Sequence, residues 1–242
     1  MPSEPVTVAR PSRLTIAVLG GTGAQGLGLA RRLGDAGHSI VIGSRDQSRA
    51  AEAAATLSDG ARSISAASNG AAVAAADIVI IAVPYEGHHE LLISLADRLA
   101  GKIVIDSVNP LSFDALGAHP LAVPDGSAAQ EAARLLPLSR IVAAFHHVSA
   151  TLLQDPTVTR IETDVLVLGD DREATDLVQG LCDEIPGMRG IYGGRLRNVG
   201  QVEALTANLI SVNRRYKGHA GIRITDVRTS DKDDLALTCQ PA

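Results

Sequence analysis

The chain has 242 residues, 45% of them hydrophobic, yet its aromatic side chains are limited to three Tyr and two Phe, with no Trp. The core must therefore be built from aliphatic side chains, which favours layered α/β packing over an aromatic-rich β-sandwich. A net charge of −5 and the shortage of rings on which bases could stack argue against a protein that binds nucleic acid.

Signals for a compartment or a membrane are negative. Cys182 and Cys239 are too few for a disulfide framework and too far apart for a zinc site. Residues 1–13 lack the apolar run of a signal peptide and are predicted to be a flexible leader, while residues 229–242 read as a polar tail. The longest apolar stretch is too short to span a bilayer. We therefore expect a cytoplasmic protein that contacts no membrane.

Apolar runs alternate with helical patterns from residue 14 onwards. The strand-like runs are 14–19, 39–43, 63–65, 77–83, 102–106, 140–145 and 164–168. The helical patterns between them are 26–36, 48–57, 71–76 and 88–99. Continuous apolar strands are typical of a parallel sheet covered on both faces. We predict a Rossmann-like, doubly wound parallel sheet over residues 14–168.

The pattern changes after Gly169. A helix is predicted over 173–184, a longer helix over about 198–216, and a last strand over 221–226. We expect residues 169–228 to form a small C-terminal α/β domain.

The main chemical signal is the glycine-rich stretch GGTGAQG. Gly21, Gly23 and Gly26 match the pattern GxGxxG directly after a strand and before a helix. Gly23 would let the backbone approach a pyrophosphate, and Gly26 would allow the helix to pack closely on the strand. The phosphates would bind the free N–H groups at the positive end of the helix. This context favours a dinucleotide site over a merely structural turn.

The end of the second strand predicts which dinucleotide binds. An NAD enzyme normally carries Asp or Glu there, whereas this chain has Ser44 and Arg45, with Arg49 one helical turn later. Guanidinium groups favour a dianionic 2′-phosphate by charge and by bidentate hydrogen bonding. The alternative is a solvated surface pair, and Asp46 could pair with either arginine. The pattern favours NADP.

Polar residues follow the later strands, where α/β sheets place their ligand contacts. Tyr85 and His89 could border the dinucleotide or be ordinary surface residues of a helix. Asn109 could bind a carboxamide or a ribose hydroxyl, or could hydrogen-bond its own turn. His146 and His147 should point to opposite faces of an extended segment, so at most one should face the cleft. His146 is the candidate for acid–base work.

Other catalytic patterns are missing from the sequence. No third ligand has a suitable spacing for a metal site with the paired histidines, and Cys182 lies in an apolar helical pattern that reads as core. There is no Tyr-x-x-x-Lys dyad and no Gly-x-Ser-x-Gly elbow. Their absence suggests hydride transfer between bound partners, in which positioning supplies most of the rate enhancement.

The sequence resembles the NADPH:coenzyme F420 oxidoreductases, or 8-hydroxy-5-deazaflavin:NADP oxidoreductases, over about residues 14–226. The resemblance is carried by TIAVLGGTGAQGLGLARRL, GHSIVIGSRDQSRA, ADIVIIAVPYE, KIVIDSVNPL, GSAAQEAARLLP, VAAFHHVSA and NRRYKGHAGIRIT. It implies an NADP-binding Rossmann domain, a smaller C-terminal domain and a homodimer. It also implies that the nicotinamide and deazaflavin rings stack in the cleft between the two domains.

The resemblance also implies roles for particular residues. Those expected to hold NADP are Thr22, Gly23, Ala24 and Gln25 at the pyrophosphate, Ser44, Arg45 and Arg49 at the 2′-phosphate, and Tyr85, His89 and Leu111 along its border. Ala150 would lie near the nicotinamide and Ala220 would contact the deazaflavin. Small side chains at Ala144, Ala150, Ala220 and Gly221 would let the rings approach each other.

We therefore expect reversible hydride transfer between NADP(H) and coenzyme F420, with both bound at once. One alternative is another NADP-dependent reductase that acts on an imine, a flavin or a metal chelate. Another is a non-catalytic NADP sensor. Fold alone would not separate these functions.

Overall fold

The computed structural model describes residues 13–58 and 62–227, whose strands form one large sheet and one hairpin. Within these ranges the strands are β1 Thr15–Leu19, β2 Ser39–Ser44, β3 Ser63–Ser68, β4 Ile78–Ile81, β5 Ile103–Asp106, β6 Leu111–Asp114, β7 Gly117–Pro120, β8 Arg140–Ala143, β9 Thr163–Gly169 and β10 Met188–Gly194. Almost all of the predicted leader and tail, together with Cys239, lie outside the described residues.

The described helices alternate with these strands. They are α1 Ala24–Asp35, α2 Gln47–Leu57, α3 Asn69–Ala75, α4 His88–Leu99, α5 Ala128–Leu135, α6 Ala150–Gln154, α7 Arg172–Asp183 and α8 Val199–Tyr216. Several begin at residues whose side chains accept hydrogen bonds from free N–H groups of the first turn, which stabilises the helix start. These capping residues are Asp46 for α2, Ser68 for α3, Ser127 for α5, Ser149 for α6 and Asp171 for α7.

The large sheet has the order β10-β9-β8-β5-β4-β1-β2-β3. Residues of β1 alternate between its two faces, so that Ile16 and Val18 join one apolar cluster while Ala17 and Leu19 join the other. A core on both faces is what the continuous apolar strands predicted. The Rossmann-like fold is confirmed.

The chain reverses its winding direction between β1 and β4. From β1 it proceeds outward to β2 and β3, then returns to β4 and continues through β5 on the other side. Such a reversal opens a crevice at the carboxyl ends of the strands, where open α/β sheets bind their ligands.

The far side of the sheet departs from the prediction. β9 was expected to be parallel like the others, but it runs antiparallel to β8. The connection that carries α6 therefore stays at the carboxyl edge and does not cross the sheet as a parallel connection would. The antiparallel turn thus keeps residues 144–162 beside the crevice.

The sequence patterns did not predict β10, α5, α6 or the β6–β7 hairpin. β10 has the sequence MRGIYGG, whose glycines hide the strand pattern. Residues 221–226 were predicted to be a strand but have no regular secondary structure. They nevertheless lie along β9, where the Asp164 N–H donates to the Ile222 carbonyl at 2.8 Å.

The predicted C-terminal domain shares the main sheet. β10 extends that sheet beyond β9 and α7 packs against both strands, so a boundary at residue 169 cuts through the sheet. The division of the chain into two domains stays a prediction. No helix in the part of the chain that the structure describes is long and apolar enough to cross a membrane.

Candidate functional site

The glycine-rich turn between β1 and α1 is built by close backbone approaches. A Cβ on Gly26 would lie 2.6 Å from the Gly20 carbonyl oxygen, and one on Gly20 would lie 2.4 Å from that of Ala82. Gly20 also has φ +82°, a left-handed value that favours glycine. These contacts bring the start of α1 onto the end of the sheet, as predicted for Gly26.

Gly23 precedes α1 and leaves the first turn of the helix without a side-chain cap or an acidic residue. Its N–H groups and the positive end of the helix dipole therefore remain available to an anion. Thr22 and Gly23 line a cavity, and Ala24 is exposed beside them. Gln25 is engaged elsewhere, because its Nε2 donates to the Phe145 carbonyl at 2.9 Å.

The first cavity has a volume of about 830 Å³ and lies over the crevice beside β1. It extends from the glycine-rich turn to the end of β2 and along the start of α4. Its lining includes Gly20, Thr22, Gly23, Ser44, Arg45, Asp46, Arg49, Asn69, Ala82, Val83, Glu86 and Glu90. Asn69, Glu86 and Glu90 were not predicted to line a site, because they belong to no recognisable motif.

Arg45 and Arg49 provide positive charge at the β2 end of this cavity. Asp46 does not neutralise them, since its carboxylate accepts from the N–H groups of Ser48 at 2.9 Å and Arg49 at 3.3 Å. Within the described ranges, neither guanidinium forms an ion pair. Ser44 completes the group, with its Oγ accepting from the Asp46 N–H. The predicted 2′-phosphate residues thus lie together and are free to bind an anion.

Tyr85, His89 and Leu111 lie outside the linings of both cavities described here. Tyr85 packs against the apolar cluster on the α4 side of the sheet, with its ring centroid 6.2 Å from that of His88. The Nδ1 of His89 lies 2.8 Å from Glu131 Oε1. Leu111 begins the β6–β7 hairpin. Direct contacts of these three side chains with a dinucleotide stay a prediction.

A buried polar network beneath α4 was missed by the sequence analysis. The Nε2 of His88 lies 2.7 Å from Asp106 Oδ2, and its Nδ1 lies 3.3 Å from Glu131 Oε2. Burial opposes the charged imidazolium, but the two carboxylates outweigh it and raise the pKa of His88. Asp106 in turn accepts from the Val108 N–H. The network therefore fixes the segment that follows β5.

Glu203 of α8 joins α8 to α5. Its carboxylate accepts from the N–H groups of Ala128 at 3.1 Å and Ala129 at 3.2 Å, at the start of α5. Burial raises the pKa of Glu203 to about 7, although these two hydrogen bonds oppose the shift. The pairing holds α8 on the carboxyl side of the sheet.

The second cavity, of about 340 Å³, shares Ala82 and Val83 with the first. Its lining includes Gln25, Ser107, Asn109, His146, His147, Ser149, Ala150, Thr206, Ile210, Asn213, His219 and Ala220. These residues come from α1, the segment after β5, the connection around α6, and α8 with the loop that follows it. Of the residues expected at the rings, Ala150 and Ala220 are here.

His146 and His147 both line this cavity, contrary to the prediction that at most one would. The prediction assumed an extended segment, but Phe145 has φ +65° and the histidines lie in a turn. Both ring nitrogens of His146 are buried without a hydrogen-bond partner among the described residues. Burial lowers the pKa of His146 to about 4, so its ring is neutral at neutral pH.

His147 has one partner, since its Nε2 accepts from the Leu166 N–H at 3.3 Å. Burial, and then the neighbouring His146, lower the pKa of His147 to about 4. The His146 carbonyl receives two hydrogen bonds, from Asn109 Nδ2 at 2.7 Å and Thr206 Oγ1 at 3.0 Å. Asn109 therefore holds the histidine turn, while its buried Oδ1 has no partner in the described part of the chain.

The wall opposite the histidines is a loop that follows α8. The Ala220 N–H donates to Asn213 Oδ1, and His219 Nδ1 lies 3.3 Å from Ser149 Oγ. Ala150 begins α6 directly after Ser149. Two of the small residues named in the sequence analysis lie elsewhere: Ala144 is fully buried in the core, and a Cβ on Gly221 would lie 2.6 Å from Thr163 Oγ1.

A buried ion cluster anchors the end of this loop. Asp164 is fully buried and accepts two hydrogen bonds from Arg189, each of 2.7 Å, one from Arg223 at 2.8 Å, and one from the Ile224 N–H at 2.6 Å. Burial opposes ionisation of Asp164, but these donors outweigh it and lower its pKa. The cluster ties residues 222–224 to the starts of β9 and β10.

Two other features bear on chemistry. Cys182 is fully buried in the core, as predicted, and burial raises the pKa of its thiol well above the ordinary value. Across residues 13–58 and 62–227, no group of three or more His, Cys, Asp or Glu side chains is arranged to hold a metal ion. The chemistry of the site thus rests on anion-binding, hydrogen-bonding and small apolar groups.

Comparisons with known proteins show which family the chain resembles. A family described as NADP oxidoreductase, coenzyme F420-dependent, matches residues 15–110. The F420-dependent NADP reductase of Methanothermobacter marburgensis is 39% identical over 223 residues, covering 88% of this chain and 99% of the relative. That of Methanocaldococcus jannaschii is 39% identical over 224 residues, with coverages of 88% and 99%.

A solved structure from Arthrobacter sp. FB24, described as a candidate F420-dependent NADP reductase, has the same fold. It aligns with a TM-score of 0.76 and 26% sequence identity, covering 88% of this chain and 99% of that one. The similarity therefore extends beyond the glycine-rich half to the C-terminal elements that form the second cavity.

Proposed function

The chain belongs to the F420-dependent NADP reductases, and from this premise we propose that its two joined cavities hold the two reactants side by side. The protein transfers a hydride between NADP(H) and coenzyme F420. The observation that carries the placement is the contact between the cavities at Ala82 and Val83, after β4. That position lies at the reversal of strand order, where two ligands can meet.

The first cavity suits NADP(H). The pyrophosphate would bind at the uncapped start of α1, where Gly23 and Gly26 let it approach the backbone. The 2′-phosphate would bind Arg45 and Arg49, whose guanidinium groups form no ion pair with any carboxylate that the structure describes. Two cations at one end of the cavity favour a doubly charged phosphate over the hydroxyl of NAD.

The second cavity suits the deazaflavin. Its lining combines small residues, Ala150 and Ala220, with the nitrogens of His146 and the Oδ1 of Asn109, which have no hydrogen-bond partner within residues 13–58 and 62–227. Small residues leave room for two flat rings in contact. The polar atoms offer hydrogen bonds to the nitrogen and oxygen edges of the rings, which would satisfy groups that are otherwise buried without a partner.

The chain's own residues would position the reactants and exclude water. The reactants supply the chemistry, a hydride passing between C4 of the nicotinamide and C5 of the deazaflavin, with a proton exchanged at N1 of the deazaflavin. Holding them together replaces a bimolecular encounter with one fixed geometry. Neutral His146 carries one donor and one acceptor, so we assign it a hydrogen-bonding role at the ring edge rather than that of an imidazolium acid.

The direct test is spectroscopic. Purified protein mixed with NADPH and F420 should bleach the absorbance of the oxidised deazaflavin, and NADH should serve far less well. An NADPH-dependent reduction of an imine, a flavin or a metal chelate without F420 would instead favour a different reductase. Tight NADPH binding with no hydride loss to any acceptor would favour a non-catalytic sensor.

We also propose a homodimer, with α8 and the β6–β7 hairpin as its interface. The hairpin exposes Phe113 and Leu116, and α8 exposes Val212 and Tyr216. Exposed apolar side chains on neighbouring elements are typical of protein interfaces. Sedimentation equilibrium of the wild type and of a Phe113→Ser, Leu116→Ser variant tests this proposal of a dimer.

A cytoplasmic location stays a prediction from the sequence.

A further inference from the structure

The imidazole of His88 is a buried polar group that the proposed reaction does not use. His88 begins α4 and is fully buried, as is Asp106 at the end of β5. Its Nε2 lies 2.7 Å from Asp106 Oδ2, and its Nδ1 lies 3.3 Å from Glu131 Oε2. None of these three residues lines either of the two cavities described above. Any effect of the imidazole on the reaction must therefore pass through another residue.

A short path of hydrogen bonds leads from His88 to the second cavity. The Asp106 carboxylate faces His88 with Oδ2, and its Oδ1 accepts from the Val108 N–H at 3.0 Å. Val108 and Asn109 both line the second cavity. Asn109 Nδ2 donates to the His146 carbonyl at 2.7 Å. The path therefore ends at the turn that carries the two cavity histidines.

The charges along this path strengthen it. Burial opposes the charged form of His88, but Asp106 and Glu131 outweigh burial and raise the pKa of the imidazole. Hydrogen bonds that involve a charged group are about twice as strong as neutral ones. The contact with His88 therefore holds the Asp106 carboxylate in the orientation in which Oδ1 faces the Val108 N–H. The charge of Asp106 also reaches the cavity, where it acts against the burial that lowers the pKa of His146 to about 4.

We propose that His88 is a positioning residue for hydride transfer, which acts through Asp106 to hold residues 107–109 at the wall of the second cavity. This inference rests on the proposed function, because it takes the deazaflavin ring to lie in that cavity. A wall that is held from behind fixes the distance between the deazaflavin and the nicotinamide. Misplacing reacting atoms by about 1 Å can slow a reaction roughly a hundredfold, even when the change lies far from the chemistry.

A purely structural role for His88 predicts a different result. The loss of a partner from a buried polar pair costs stability wherever the pair lies. His38 provides the comparison, since it is also buried and its Nε2 lies 2.6 Å from Glu184 Oε2. It lies at the amino end of β2, on the opposite edge of the sheet, and lines neither cavity. His38→Asn should therefore lower stability without changing the rate of hydride transfer.

Two variants separate the two contacts of His88. The amide nitrogen of Gln can replace Nε2 and keep a donor towards Asp106, whereas that of Asn can replace Nδ1 and keep only a donor towards Glu131. Stopped-flow bleaching of the deazaflavin, with enzyme and NADPH in excess over F420, measures hydride transfer in a single turnover. We expect His88→Asn to be roughly tenfold slower than the wild type and His88→Gln to stay within about threefold of it. The Kd for NADPH, measured by calorimetry, should be unchanged in both, because the loss concerns positioning and not binding.

A second pair of variants covers the case in which His88→Asn does not fold. Asp106→Asn keeps an oxygen for the Val108 N–H and should retain the rate, whereas Asp106→Ala should be roughly tenfold slower. Equal rates within either pair, or a loss of rate in His38→Asn as large as that in His88→Asn, would overturn the positioning role. Failure of the wild type to bleach the deazaflavin would instead overturn the proposed function.

Discussion

The two cavities are built in different ways. The first is formed by the ends of β1, β2 and β4 and the start of α4, and local motifs predicted its glycine-rich turn and its two arginines. The second gathers residues from Gln25 to Ala220, and hydrogen bonds between distant segments hold it together. A local motif can therefore indicate an anion site, whereas the second cavity depends on how several elements pack.

This contrast predicts which substitutions act locally and which act through the fold. Arg45 and Arg49 of the first cavity form no ion pair within the described ranges, so their loss should cost little stability. Side chains around the second cavity hold the wall together, so their loss should cost stability.

The largest effect is expected at Asp164. Asp164→Ala leaves Arg189 and Arg223 without their buried carboxylate, and breaking a buried ion pair costs about 3–5 kcal/mol. Urea unfolding should show that the free energy of unfolding of the variant is lower than that of the wild type by this amount. Glu162→Ala is the matched control, because this half-exposed carboxylate also pairs with Arg223 and should cost less than about 1 kcal/mol. Equal losses of unfolding free energy in the two variants would contradict the explanation that burial makes the Asp164 ion pairs important.

The second effect is a pH dependence caused by His146. Its pKa in the folded protein is about 4, against an ordinary value of 6.5. The unfolded chain therefore takes up the proton first, and stability is lost as the pH falls from 6.5 to about 4. The loss attributable to His146 is at most about 3 kcal/mol.

His146→Gln should remove this contribution, so the free energy of unfolding should fall less steeply between pH 6.5 and pH 4. His119→Gln, which replaces a half-exposed histidine of the hairpin, should retain the wild-type dependence. A slope unchanged in His146→Gln would mean that the ring is not buried as described.

The third effect tests the glycine-rich turn. In Gly26→Ala the new Cβ would meet the Gly20 carbonyl oxygen at 2.6 Å, so backbone must move. Forcing one extra methyl group into a packed site costs about 1–3 kcal/mol. If the backbone of the turn shifts to admit the methyl group, NADPH binding should weaken roughly tenfold to hundredfold. Gly218→Ala is the control, since no atom lies within 4 Å of its added Cβ. Calorimetric titration with NADPH measures the binding affinity of both variants.

The smallest effect concerns selectivity. The double variant Arg45→Ala, Arg49→Ala should weaken NADPH binding roughly tenfold while changing NADH little, because the lost contacts are exposed and charge-assisted. Arg197 is also exposed but lies elsewhere, so Arg197→Ala removes a positive charge and should alter neither NADPH binding nor NADH binding. Equal losses for NADPH and NADH would refute the assignment of the 2′-phosphate to these arginines.

Sequence reasoning reached the parts of the fold whose signals are local. The bounds of α4 agree with the prediction, because its apolar spacing and flanks are regular. β10 was missed because its glycines obscure the pattern, and the direction of β9 was wrong because strand direction is decided by neighbours far along the chain. The buried network of His88, Asp106 and Glu131 carries no motif, so no spacing could have indicated it.

The shortage of aromatic rings in the sequence excluded several protein classes, and the glycine-rich turn with Ser44 and Arg45 predicted a dinucleotide site, since those signals need only neighbouring residues. Tertiary structure decided that both histidines face the second cavity, because Phe145 turns the chain there. It also decided that the C-terminal segment closes that cavity. The buried Asp164 pairs with Arg189 and Arg223, which are distant in the sequence, and these pairs hold the segment in place. Contacts between remote segments are fixed by packing and desolvation, which a linear pattern does not encode.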